Sequence, residues 1–305
     1  MKDLHIGISG WRYAPWRGDF YPRGLRQRDE LRYASRAFNS IELNGSFYAL
    51  QTPERYRQWA GDTPTRFCFS IKGPRYISHI KRLRDAREGL ANFFASGPLE
   101  LGEKLGPILW QVPPSLGFDE EVVEQFLAQL PRDSQAALKL ARDSATRKPG
   151  HWPEALGAQP LRHALEVRHQ SFATPRFVRL LRQYGVALVI ADAPRKWPYA
   201  EDLTARDFVY LRLHGDKELY ASGYGEAALR RWSRRIEHWR RGSQPRDAEL
   251  FDDSIAGDRH PRQVFCYFDN DMKVRAPYDA SRLMQLLDLK LDDRQEPGQP
   301  AGDWS

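Results

Sequence analysis

Cysteine is scarce in this chain: Cys68 and Cys266 are the two it has among 305 residues. Two thiols without paired spacing supply neither a disulfide framework nor a zinc site, and both fall inside apolar segments, as core thiols of a reducing compartment do. No apolar run approaches the roughly 20 residues that cross a bilayer. Residues 1–6 carry no apolar leader region, so a cytoplasmic protein without membrane attachment is expected. Lysine is also rare. It accounts for ten of the 47 basic residues, leaving 37 arginines against 40 acids and a formal net charge of +7. Several motifs are missing: a Gly-x-Gly-x-x-Gly after the first strand, a Walker loop, His-Glu-x-x-His, Cys-x-x-Cys and a calcium loop. Ser9, in Gly7-Ile8-Ser9-Gly10, does not sit in a nucleophile elbow. There is no repeat of fixed period and no low-complexity block.

What the chain does contain is eight short apolar segments, nearly all ending in polar or ionisable residues. They span 4–11, 40–47, 66–73, 107–113, 163–169, 186–192, 208–215 and 263–271. Helical patterns fall between most of them, at 29–38, from Thr52-Pro53-Glu54 onward, at 85–95, 119–130, 174–184, 226–241 and 278–289. Alternation of β and α patterns implies a parallel sheet with right-handed crossovers. Eight units favour closure into a (β/α)8 TIM barrel over an open doubly wound sheet, and a barrel collects strand ends at one solvent-facing mouth. One domain over residues 1–290 is expected, with loop insertions at about 132–159 and 242–262 and a disordered Pro/Gly-rich tail at 291–305. Within the first insertion, residues 136–141 read as a short strand.

Side chains two apart along a strand share a face. Glu42 with Asn44, Ser70 with Lys72, Glu166 with Arg168, and Tyr210 with Arg212 and His214 form such sets. Their partner faces carry Leu165 and Val167, or Leu211 and Leu213, so the charged sets are expected to face the lumen. The mouth would hold Glu42, Glu166 and Asp192 as acids, Lys72, Arg168, Arg212 and His214 as bases, and Asn44, Gln111, Tyr267 and Asn270 as neutral partners. Arg168, Arg212 and Lys72 would grip an anion. Glu166 or Glu42 would act as general base and His214 as acid or base, with Asp192 a further catalytic acid. No cofactor is expected. Glu42, Glu166 and His214 are the ligands to consider for a divalent metal, with His79, His169, Asp192 and Asp269 as outer candidates, but the interleaved cations raise the electrostatic cost of a dication. The substrate would be a small anion or nucleic acid. Phosphodiester hydrolysis and isomerisation or cleavage of a sugar-like compound are both open. So is a non-catalytic nucleic-acid binder or ligand sensor. The nucleic-acid reading would use the basic helix around 230–241 and aromatics around Trp11 to Trp16, with Tyr21, Phe47, Tyr48, Tyr220 and Tyr224.

In order along the chain, Ile8-Ser9-Gly10-Trp11 with Trp16 and Phe20-Tyr21-Pro22, Ile41-Glu42-Leu43-Asn44 with Phe47-Tyr48, and Phe69-Ser70-Ile71-Lys72 with His79 resemble the YecE-like family, domain of unknown function 72. So do Gln111-Val112-Pro113-Pro114, Glu166-Val167-Arg168-His169 with Ser171, Asp192, Tyr210-Leu211-Arg212-Leu213-His214-Gly215 and Tyr267-Phe268-Asp269-Asn270. The resemblance covers about residues 4–290. It implies a (β/α)8 fold, similar to endonuclease IV and sugar-phosphate isomerases, and no established reaction. The chain departs from the family pattern at Phe172, where tryptophan is usual, at Asp269, where asparagine is usual, and in the length of 132–159.

Overall fold

The computed structural model describes residues 3–144, 157–194, 196–254 and 259–291. Eight strands, β1 (Leu4–Ser9), β2 (Ser40–Leu43), β3 (Cys68–Lys72), β4 (Leu105–Gln111), β5 (His163–Glu166), β6 (Ala187–Asp192), β7 (Phe208–Leu213) and β8 (Gln263–Phe268), close into a barrel in sequence order. All pairs are parallel, and β8 returns to β1 with Leu4 opposite Val264 and Ile8 opposite Phe268. This is the (β/α)8 TIM barrel that the alternation of apolar segments implies.

The helices are α1 (Glu30–Ala37), α2 (Gly45–Tyr48), α3 (Pro53–Asp62), α4 (Ala86–Ala95), α5 (Glu120–Gln129), α6 (Ser134–Arg142), α7 (Pro175–Tyr184), α8 (Glu226–Arg240) and α9 (Arg275–Leu286). Their starts follow local chemistry. Thr52, Asp119 and Thr174 accept hydrogen bonds from the backbone N–H three residues on, and proline opens α3 and α7, where its missing N–H is harmless. The segment 136–141 is helix α6 and not a strand. Asp133 caps it by accepting from Ala136 N, and Ala137, Leu140 and Ala141 bury one side. The reading failed because a short alanine-leucine run has no period-two signal, while the Asp133 cap was overlooked. The remaining turn signals of that insertion, Lys148-Pro149-Gly150 and Trp152-Pro153, and the tail from 292 lie outside the described residues. No helix among the described residues is long and apolar enough to cross a membrane.

Trp110 of β4, buried between strands and helices, meets Phe93 of α4 and Phe126 of α5 edge-on at 5.8 and 5.4 Å. Inside the cylinder, Cys68, Leu109, Ala164, Ala187, Val189, Ala191, Phe208, Tyr210, Phe265 and Tyr267 form a separate packed cluster. Layered side chains of this kind fill a TIM barrel and leave its C-terminal rim for chemistry.

Candidate functional site at the barrel mouth

Above that apolar filling lies a polar layer built by alternation. Tyr210 Oη meets Ser70 Oγ at 2.7 Å and donates to Glu42 Oε2 at 2.7 Å, while Tyr267 Oη meets Ser40 Oγ at 2.7 Å. One step nearer the rim is Arg212, 1% exposed. Its Nε donates to Glu42 Oε2 (3.1 Å) and its Nη1 to Glu166 Oε2 (2.7 Å). Its Nη2 reaches Ser9 Oγ (3.1 Å), Glu42 Oε1 (2.9 Å) and Asp269 Oδ2 (2.9 Å). Every nitrogen of the guanidinium is engaged within the protein. Glu42 is equally saturated, accepting from Ser9, Tyr210 and Arg212, and is fully buried. Both belong to one buried polar hub.

The hub sets the electrostatics of the rim. Burial alone would raise the carboxyls of Glu166 and Asp269. Arg168 and Arg212 outweigh it at Glu166, and chiefly Arg212 at Asp269, so both are held well below the usual carboxylate range. Burial alone would lower Arg212, but Asp269, Glu42 and Glu166 push it well above its ordinary value. With His214 neutral, Glu42, Glu166 and Asp269 balance Lys72, Arg168 and Arg212.

Three polar groups at the rim stay unmatched among the described residues. Lys72, at the end of β3, makes no ion pair; its ammonium lies over the Phe47 ring, 4.4 Å from the centroid. Burial and the neighbouring Arg212 lower that ammonium to about 8. Asn44 donates to Ser9 Oγ at 2.8 Å, while its buried Oδ1 has no partner. His214 Nδ1 lies 3.0 Å from Asp269 Oδ2, off the hydrogen-bonding direction, and Nε2 meets nothing. Burial keeps this imidazole neutral by lowering its pKa.

Aromatic walls flank these groups. Arg168 stacks on Trp197 at 3.6 Å while its Nε donates to Glu166 Oε1 at 2.7 Å. Trp197 and Tyr220 meet His214 edge-on at 5.0 and 5.4 Å. His79, on a turn of π-helix at Tyr76–Ile80, packs against Phe47 at 5.0 Å. Burial, Lys72 and Arg168 lower it to about 4. Asp271, just past β8, is raised to about 6 by burial and the charge of Asp269. Tyr220 (φ 62) and Val274 (φ 55) adopt left-handed backbone at this rim, a strained state for non-glycine residues that gathers at functional sites.

Three expected members sit elsewhere. Asp192 points out of the lumen and accepts from Tyr224 Oη and Trp232 Nε1, each at 3.1 Å, under α8. Ala191 takes the inward position, so alternation turns Asp192 away. Asn270 also faces outward, donating to Asp279 Oδ2 at 2.8 Å and Ser222 O at 2.9 Å. Tyr267 is inside but one layer too deep. Gln111 is buried on the lumen face two residues beyond Leu109 and donates to Val112 O at 2.9 Å. Trp16 and Tyr21 are buried among Tyr13, Phe20 and Tyr33, so these rings pack the rim and present no stacking surface. Sequence reasoning gave no role to Asp271 or Trp197, counted Asp269 only as an outer metal-ligand candidate, and considered Ser9 only to set it outside a nucleophile elbow. The period-two step from Tyr267 reaches Asp269, and Ser9 follows from its step off Gly7. Trp197 lies in a loop where no periodicity exists to read.

Several arginines of α8 and its C-terminal end are ion-paired. Arg230 meets Glu226, Arg235 meets Glu201 and Asp247, Arg240 meets Asp3 and Glu237, and Arg241 meets Glu237.

Fold and site together define a (β/α)8 barrel protein with a charge-balanced, aromatic-walled mouth at the C-terminal ends of its strands. Residues 5–302 match the family described as "Protein of unknown function DUF72", and the chain belongs to it. The UPF0759 protein YecE of Escherichia coli (strain K12) is 28% identical over 198 residues, 64% of this chain and 67% of YecE. The UPF0759 protein YunF of Bacillus subtilis (strain 168) is 23% identical over 304 residues, covering 94% of this chain and 95% of YunF. Among solved structures, a DUF72 family protein from Thermotoga maritima superposes with a TM-score of 0.69 at 24% identity, over 93% of this chain and 99% of that one. One from Enterococcus faecalis gives 0.66 at 19% identity, over 95% and 97%.

Proposed function

We propose that this protein is an enzyme acting on a small anionic substrate at the barrel mouth, by isomerisation or bond cleavage and not by phosphodiester hydrolysis on nucleic acid. The observation that carries the reading is the contrast between a saturated hub and the unmatched groups above it. Every nitrogen of Arg212 and both carboxylate oxygens of Glu42 already have partners within the hub. Among the described residues the Lys72 ammonium has no ion-pair partner and lies over the Phe47 ring, while the buried Asn44 Oδ1 and His214 Nε2 have no hydrogen-bond partner, and buried polar groups left unsatisfied are a reason to look for a ligand.

Lys72 and Arg168 supply the positive charge for the anion. Arg168 keeps a fixed orientation through Glu166 and Trp197, which limits the entropy lost on binding. The rings of Phe47 and Trp197 form apolar walls. Neutral His214, with Asp269 near Nδ1, presents Nε2 as a proton acceptor. A divalent cation on Glu42, Glu166 and His214 fits poorly, because the Arg212 guanidinium already lies between the two glutamates. The proposal therefore contains no metal.

Calorimetric titration with inorganic phosphate and small phosphorylated or carboxylated sugars tests this reading. Lys72→Met and Arg168→Ala are each expected to weaken binding at least tenfold, while Arg230→Ala leaves it unchanged. If instead single-stranded DNA binds with a steep salt dependence that Lys72→Met does not alter, the nucleic-acid reading replaces this one.

A further inference from the structure

Lys72 differs from the other cations of the rim in kind as well as in partners. Arg212 is locked by three carboxylates, and Arg168 by Glu166 and a tryptophan face. Lys72 ends a lumen-facing row of β3 behind Ser70, whose hydroxyl is fixed by Pro107 O and Tyr210. Ser46 Oγ donates to the Lys72 carbonyl at 2.7 Å, so its backbone is tied to the turn that carries Phe47. The stem is thus positioned while the amine stays unpaired, held on a ring face. An ammonium meant only for structure ordinarily finds a carboxylate or carbonyls, as Lys104 does with Ala60 O and Thr63 O.

From this geometry we infer that Lys72 is a covalent catalyst, forming an imine with the carbonyl group of an anionic aldehyde, ketone or 2-oxo acid. The inference rests on the anion-site reading above and names the reactive group of its substrate. The charged groups that act on the amine are Arg212, Asp269, Glu42 and Glu166 from the lumen, and the amine acts in turn on His79 at the rim. Burial and Arg212 bring the amine to about 8, so a usable neutral fraction exists near neutrality.

The step balances without an added redox partner. The ammonium first gives a proton to His214 Nε2 or to water. The neutral amine nitrogen then attacks the carbonyl carbon, forming the C–N bond while the C=O π pair moves to oxygen. The carbinolamine nitrogen passes one proton to that oxygen, the second is returned by His214 or water, and the oxygen leaves as water, giving a protonated imine. Arg168 holds the anionic group of the substrate throughout. The iminium nitrogen then serves as electron sink for proton abstraction or carbon–carbon cleavage at the adjacent carbon, and water reverses the linkage.

Reductive trapping tests it. The full chain is incubated with pyruvate, glycolaldehyde phosphate or dihydroxyacetone phosphate, treated with borohydride, and mapped by mass spectrometry. A single adduct on Lys72 is expected, formed faster as pH rises through about 8. It should be suppressed by inorganic phosphate and be at least tenfold weaker in Arg168→Ala. Lys72→Arg keeps the charge but cannot form the adduct, and circular dichroism checks that Lys72→Arg and Lys72→Met fold. Calorimetry on the same probes separates the two claims. Binding that needs Arg168 without any Lys72 adduct overturns the imine and leaves the anion site standing. Absence of both binding and adduct overturns both, and label spread equally over surface lysines overturns the imine.

Discussion

Arg212 holds Glu42, Glu166 and Asp269 at once, with Ser9 as a fourth partner. Removing the cation from such a buried cluster leaves several carboxylates uncompensated. Arg212→Met is expected to destabilise the protein by about 3–5 kcal/mol, measured by urea unfolding at pH 7. A loss under 1 kcal/mol would show that the hub is not what holds the lumen together. At this scale the sequence was informative wherever two polar residues two apart faced an apolar partner row: Glu166 with Arg168, Arg212 with His214, Ser70 with Lys72. It was silent at Asp192, because 186–191 is apolar on both faces and gives no parity. The same rule that puts Tyr267 inward puts Asn270 outward, so that expectation conflicted with its own premise. What alternation cannot show is saturation. It brought Arg212 and Lys72 to one rim, but only the coordinates distinguish the engaged cation from the unpaired one.

Among the elements, the loop after β7 carries the most constraint. Gly215 has φ +122, and a Cβ there would sit 2.4 Å from Glu218 O. The next turn folds back so that Tyr220 N donates to His214 O at 2.5 Å and the Tyr220 ring meets the His214 imidazole. Gly215→Ala is therefore expected to lose about 1–3 kcal/mol and to shift the near-ultraviolet dichroism of the adjoining Trp197, with little change in the far-ultraviolet helix signal. An unaltered near-ultraviolet spectrum would mean the loop tolerates the added methyl. All eight strand segments were legible as apolar runs bounded by turn residues, yet most end two to four residues before the reading. The reason is visible at β2, where the chain turns into α2 directly after Asn44. A polar residue at a strand end is compatible with extended or turning backbone, and the pattern alone does not separate them.

For the whole molecule, the formal net charge is +7, and this charge is one contributor to how the fold responds to acid. His163 is fully buried, with Trp110 Nε1 donating to its Nδ1 at 3.2 Å and its Nε2 2.7 Å from Pro131 O. That places the single proton on Nε2 and leaves no room for a second. Burial lowers its pKa to about 4 from an ordinary 6.5. Between these values the unfolded chain binds the extra proton and the folded chain does not, so stability is complete above pH 6.5 and falls as pH drops toward 4. The shift corresponds to about 3 kcal/mol at its upper bound. Glu166 and Asp269 act lower: their contribution is present above the ordinary carboxylate range and is lost as pH falls beneath it. Urea midpoints measured from pH 7.5 to 4.5 should decline for the native chain and decline less for His163→Gln. Parallel curves would remove His163 as the cause.

The polar hub also links the two ends of the chain. Glu42 lies 170 residues from Arg212, Asp269 a further 57 beyond it, and β8 must reach β1 before all the hub's members meet. During synthesis the reactive amine is therefore made long before the surroundings that tune it. A nascent chain lacking its last strand carries Lys72 as an ordinary solvated lysine, mostly protonated and slow to react with aldehydes. Reactivity would switch on at ring closure, so completion of the fold would itself be the activating event.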